Sequence, residues 1–238
     1  MSDQERNDKA KAVNEMFSAI ADRYDFLNHF LSIGIDITWR KRATELLGPL
    51  RQGCALDLAC GTADLTIELA KANPAAQITG ADFVDRMVQL GKEKVTAKGL
   101  DKQITLEIGD AMNLSYPDNH FDGITCAFGV RNFADLEQGI AEMVRVLKPG
   151  GRMVILEFTQ PKNVIFAMMY RFYFTRILPL LGGLVSGRRS AYDYLPDSVY
   201  KFPLPDRFSD LLIKSGMEGV SFFPLTFGIC GLHAGVKR

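Results

Sequence analysis

Histidine and cysteine are scarce in this 238-residue chain, and neither recurs at a metal-binding spacing. The three histidines (His29, His120, His233) lie far apart, and so do the four cysteines (Cys54, Cys60, Cys126, Cys230). With no C-x-x-C pair and no disulfide spacing, the cysteines read as buried free thiols of a cytoplasmic protein. Neither sign of charge is in excess, Lys+Arg and Asp+Glu both being 28, so nucleic acid is not an expected partner. The opening MSDQERNDKAK lacks the apolar run of a signal peptide. A hydrophobic run does occur at 164–185, but Arg171 and Arg176 fall in its middle. Each would cost about 2.5–3.5 kcal/mol at a bilayer centre, and Pro179 and Gly182-Gly183 break a helix further. It does not span. The most informative absence is in LDLACGTADL (56–65), where a strand turns into a helix without G-x-G-x-x-G. Only Gly61 is present, with Ala59 and Asp64 in the other glycine positions, so a dinucleotide pyrophosphate is disfavoured.

What is present is enough for one α/β domain, 47% of the residues being hydrophobic and 24% charged. Apolar strands are expected at 53–59, 77–83, 103–111, 121–130 and 152–158, with two more in 217–237, broken near Pro224 and Gly228. Helical patterns fill 63–72, the segment through Met87, Leu90 and Val95, and residues 135–147 and 205–214. Asp135 with Gln138 has the spacing of a capping box, and Pro149-Gly150-Gly151 is expected to stop that helix. The alternation predicts a mostly parallel seven-stranded sheet with helices on both faces. Residues 1–50 carry two or three helices and no strand, an N-terminal helical lid on a domain of residues 51–238.

Ligands of such sheets bind beyond the carboxyl ends of the strands. Three acids fall at three successive strand ends: Asp57, Asp82 and Asp110. An acid and a single glycine suit a phosphate-free nucleoside with a cationic amino-acid tail, which describes S-adenosylmethionine (SAM). Asp57 is then expected near the methionyl portion and Gly61 against the nucleoside. Asp82 lies about 20 residues further on, where an acid takes ribose hydroxyls. Asp110-Ala111 is expected at the adenine, the acid toward its amino group. The fold expected is the Rossmann-like one of class I SAM-dependent methyltransferases. At the fourth strand end, FGVRN (128–132) offers Arg131 and Asn132 where the methyl group would point.

The whole chain resembles the UbiE-type C-methyltransferases of ubiquinone and menaquinone biosynthesis. The likeness rests on YDFLNHFLSIGIDITWR (24–40), FGVRN, RVLKPGGRMVILEFTQP (145–161), AYDYLPDSVYKFP (191–203) and LTFGICGLHAGVK (225–237). It departs at Cys60, where many members have Gly, at His29, where Asp is common, at Ala127 and in LTFG. The resemblance implies methyl transfer from SAM to a ring carbon of a polyprenylated hydroquinone, demethylmenaquinol or the equivalent ubiquinol precursor. It also implies cofactor contacts at Thr62, Asp82, Asp110 and Ala111, and a catalytic role within the Tyr24-Asp25 segment.

Methylating a carbon ortho to a phenol needs the phenolate. We therefore expect Arg131 to stabilise it, Asn132 to orient it, and Asp25 to accept the proton, without a metal. The stretch 164–185, within a hydrophobic insertion at about 161–200, is expected to receive the isoprenoid tail at the inner membrane surface, or else to pack as a helical hairpin on the sheet or in a homodimer interface. On the residues alone, two alternatives stay open: O-methylation of another phenolic lipid, and a catalytically silent SAM-binding module.

Overall fold

The computed structural model describes residues 3–32, 34–161, 168, 172, 176 and 189–238. Apart from Met168, Phe172 and Arg176, the hydrophobic stretch 164–185 lies outside the described residues. In chain order the elements begin with helices α1 (Asp3–Leu31) and α2 (Ile35–Leu47). Gly34, at φ 75°, makes the break between them, so the described part of residues 1–50 holds two helices, within the two or three expected. There follow β1 (Cys54–Leu58), α3 (Asp64–Ala72), β2 (Gln77–Asp82), α4 (Asp85–Ala97), β3 (Ile104–Ile108) and β4 (Phe121–Ala127). After a 3-10 turn at Val130–Asn132 come α5 (Leu136–Val146) and β5 (Leu147–Phe158). The described chain ends with α6 (Arg189–Lys201), α7 (Pro205–Lys214), β6 (Met217–Leu225) and β7 (Cys230–Lys237).

These strands form one seven-stranded sheet in the order β3-β2-β1-β4-β5-β7-β6. The first five are parallel, and β7 runs antiparallel to both β5 and β6. Alternate strand residues face opposite layers, which is why Ala55 and Leu56 belong to different core clusters. On one face Leu47 of α2, Leu69 of α3 and Val95 of α4 cover the sheet. On the other, Met143 of α5 and Phe208 of α7 do. Among the described residues no helix is long and apolar enough to cross a membrane.

Two local expectations are corrected. Pro149-Gly150-Gly151 does not stop α5; the helix ends at Val146, and the tripeptide lies inside β5. Leu147 is fully buried and pairs with Phe121, and a register shift absorbs the turn before Gly123 meets Arg152. The two strands expected in 217–237 are there, broken at 226–229 just past Pro224, and Pro224 itself sits in β6, an edge strand that tolerates a missing N–H. Gln138 supplies its backbone N–H to Asp135, 3.1 Å away, but its side chain turns to the Met112 carbonyl, so only half the capping box forms. His233 is a core residue of β7 lodged between the Phe208 and Phe222 rings.

Candidate functional site

The carboxyl ends of β1 to β4 open into a cavity of about 290 Å³, roofed by α1. Its floor is a turn of strained backbone. Ala59, Gly61 and Ala63 all have left-handed φ, of 55°, 55° and 69°. Two of the three are not glycine, at a cost of about 1–3 kcal/mol each, and such strain gathers at ligand sites. Gly129 closes the floor against β4, since a Cβ there would meet the Ala59 Cβ at 2.5 Å.

Asp82 ends β2 inside the cavity. Its Oδ2 accepts the Gly61 N–H at 2.7 Å and its Oδ1 the Val84 N–H at 2.9 Å. Each oxygen keeps a lone pair for a vicinal hydroxyl, so the geometry fits a ribose. Burial pushes the Asp82 carboxyl up from its ordinary value, and the N–H donors hold it down. Beside it, Phe83, Val84 and Met112 make an apolar slot that suits a flat base, with Ala111 lining it and Asp110 at its rim. The Asp110 Oδ1 accepts the Met112 N–H at 2.9 Å.

On the far wall Asn132 lines the cavity, its Nδ2 donating to the Phe128 carbonyl at 3.3 Å. Tyr24 of α1 also lines it, edge-on to Phe17. Thus Tyr24, Gly61, Asp82, Asp110, Ala111 and Asn132 share one cavity. Four other expected residues do not line it.

Asp57 is buried beneath α3, where Thr125 and Thr66 donate to its two oxygens at 2.8 and 2.6 Å. Burial lifts its pKa to about 6 against those two bonds. Thr62 donates to Asp25, and Lys94 of α4 lies 2.5 Å from Asp25 and 2.7 Å from Asp64. Asp25 is therefore a tether between the roof and the floor, engaged by a cation and a hydroxyl. The chain of charges continues through Arg40, 3.2 Å from Asp64 and paired with Asp36. Burial works against the Asp36 carboxylate, yet Ser32 and Arg40 hold its pKa below the usual range.

Arg131 stands behind the wall. Its guanidinium lies 2.8 Å from Glu157 at the end of β5 and 5.5 Å over the Phe158 ring. Both side chains are out of water, at 6% and 1% exposure. Burial raises the Glu157 pKa while Arg131 pulls it down. The phenolate role expected of Arg131 meets this obstacle: a buried acid already holds the cation.

Glu157 and Lys94 escaped the reading of the sequence, although an acid inside the apolar run VILEF signals a buried partner. The α1 roof is pinned on both sides, by Asn14 to the Phe83 carbonyl at 3.2 Å and by Arg6, 3.4 Å from Asp135. Its polar side chains gave no sign of this.

The model of the ubiE/COQ5 methyltransferase family matches residues 4–237. The chain belongs to that family. It is a SAM-dependent methyltransferase with the class I fold of that enzyme class. The demethylmenaquinone methyltransferase of Deinococcus radiodurans is 48% identical over 98% of this chain and 96% of its own length. The ubiquinone/menaquinone biosynthesis C-methyltransferase UbiE of Geotalea daltonii is 46% identical over 97% and 98%. Among solved structures, the [4+2]-cyclase SpnF superposes with a TM-score of 0.73 at 17% identity, covering 96% of this chain and 97% of its own. A SAM-dependent methyltransferase from Aquifex aeolicus gives 0.59 at 16% identity, with 84% and 89% covered. These two likenesses speak for the fold alone.

For a methyltransferase of this family, Asp82→Ala is expected to weaken SAM binding by about 1–3 kcal/mol, leaving two hydroxyls unpaired. Calorimetry giving an unchanged Kd would remove Asp82 from the site.

Proposed function

We propose that this chain methylates a ring carbon of a polyprenylated hydroquinone, demethylmenaquinol or the equivalent ubiquinol precursor. The reading is supported by one observation above all: a nucleoside-type acid, Asp82, and an amide, Asn132, line the same α1-roofed cavity. The relatives' names agree with it.

When bound, SAM supplies an electrophilic methyl group. Asp82 holds the ribose and Asp110 the adenine amino group, while Phe83, Val84 and Met112 flank the ring. Gly61 lets the backbone come close at the turn. On the acceptor side, the free N–H of Asn132 meets the phenolate oxygen and favours the ionised phenol. That places the ortho carbon for attack, at about 3–3.5 Å in a reactive geometry. Tyr24 and the rest of α1 act as a lid that keeps water out. The Arg131–Glu157 pair shapes this wall from behind, because Arg131 also donates to the Phe128 carbonyl that Asn132 uses.

The enzyme would meet its substrate at the cytoplasmic membrane surface. Met168 and Phe172, at 63% and 61% exposure, are apolar side chains facing solvent. A lipid surface or an isoprenoid tail would cover them; a second copy of the chain is the competing cover. The test is one assay with two acceptors, a short-chain and a long-tailed demethyl hydroquinone, in lipid vesicles. Methylated ring product is expected from both. Met168→Ser with Phe172→Ser should cut turnover of the long-tailed substrate alone. Equal losses would reject membrane docking, and oxygen-methylated product would reject the reaction. Quinone profiling of a host lacking its own enzyme, with and without this chain, then names the quinone.

A further inference from the structure

Asn132 does not stand alone on the cavity wall. From α6, the half-buried Tyr194 directs its O–H at the Asn132 Oδ1, 3.1 Å away. We propose that Tyr194 is a positioning residue for methyl transfer: it fixes which half of the Asn132 amide faces the acceptor. The inference rests on the reading that Asn132 meets the phenolate oxygen.

A side-chain amide carries one carbonyl oxygen and two N–H donors, and a half-turn exchanges them. Tyr194 can donate only to the oxygen. One N–H goes to the Phe128 carbonyl at 3.3 Å, which leaves the second N–H for a ligand in the cavity. With the tyrosine hydroxyl gone, only the 3.3 Å bond to the Phe128 carbonyl would hold the amide in this sense, and its preference for Oδ1 on the α6 side would weaken. A turned amide would offer an oxygen to a phenolate, and repulsion would replace a hydrogen bond.

Phe128 is a fixed reference for this arrangement. Its φ is 58°, its N–H is held by the Leu156 carbonyl at 2.7 Å, and its own carbonyl also receives Arg131. The amide is therefore caught between a rigid acceptor and a donor from another helix. Tyr194 itself does not line the cavity, so it acts through Asn132 and not on the substrate. Burial lifts the phenol's pKa above its ordinary 10, which keeps the hydroxyl protonated as a donor and unfit as a base. The tyrosine belongs to the segment AYDYLPDSV, which the fold alone would not require to touch a strand mouth.

Tyr194→Phe removes one oxygen and keeps the ring. With a short-chain demethyl hydroquinone as acceptor, kcat should fall about tenfold, while the SAM Kd and the Tm stay put. Asn132→Ala should fall at least as far. Tyr194→Phe added to Asn132→Ala should then cost nothing more. Wild-type kcat in Tyr194→Phe, beside a crippled Asn132→Ala, would overturn the positioning role and leave the proposed reaction standing. Multiplying losses in the double variant, or a lowered Tm, would also overturn it. Full turnover in Asn132→Ala would refute the role of Asn132 itself, and the inference with it.

Discussion

Glu157→Ala is expected to destabilise the protein by about 3–5 kcal/mol, because it strands the buried Arg131 guanidinium. In a chain of this size that is a fall of roughly 10 °C or more in Tm. The wild-type pair is not itself a large gain, since both charges left water to form it. The asymmetry lies in removing one partner. Glu157→Gln keeps a carbonyl for the Arg131 Nη1, which now sits 2.8 Å from Oε1, and should lose less. The Phe158 and Arg131 N–H groups also point at this carboxylate, at 2.9 and 3.3 Å, so the 3-10 turn carrying Asn132 should loosen. Melting curves of the two variants decide it. A Glu157→Ala protein as stable as wild type would mean that the Phe128 carbonyl, or water, suffices for the Arg131 guanidinium.

The second large effect is on acid stability, and it comes from His233. Burial lowers its pKa from 6.5 to about 4, with the Pro205 carbonyl and Asp206 pulling weakly the other way. Between those values the unfolded chain carries a proton that the folded one refuses, so folding stability rises with pH. The contribution is complete above about pH 6.5 and lost as pH falls toward 4, amounting to about 3 kcal/mol. Asp57 has the opposite sign, its pKa being raised from 3.8 to about 6, so it favours the folded state most below pH 4. The two run against each other in one window, and the wild-type curve by itself hides both. The measurement is urea unfolding of wild type and His233→Gln from pH 7 to pH 4. The wild type should lose about 3 kcal/mol relative to the variant. Parallel curves would mean that His233 is protonated in the fold.

Much of this architecture is legible in the residues. Apolar runs bounded by Gly, Pro and Asn give the strands, and helical periodicity gives α3 to α5, because buried parallel strands must be apolar on both faces. Acids at strand ends pointed to the strand mouths where the cavity opens, and two of the three, Asp82 and Asp110, line it. What the pattern does not carry is direction. Asp57 and Asp82 look alike in sequence. One sits a residue before its strand ends and is turned under α3 between two threonines; the other is the last residue of its strand and opens to the cavity. Asp25 and Arg131 read as reactive groups because their partners, Lys94 and Glu157, are remote in the chain. Long-range charge pairing has no period to betray it.

The placement of β7 bears on how the chain reaches this state. The parallel part of the sheet already needs one long connection, because β4 returns from beyond β3 to pair with β1, Gly123 against Ala55. β5 then waits for a strand from the far end of the sequence, Arg152 for Val236 and Phe158 for Cys230. Closing so long a loop is slow, and the reward comes only when the contact forms. Until then the run Met153–Leu156, wholly buried at the end, is an open apolar edge. That unpaired edge is an aggregation hazard, so a refolding yield that falls with protein concentration is the expected sign of a race between β7 and the β5 edge of a neighbouring molecule.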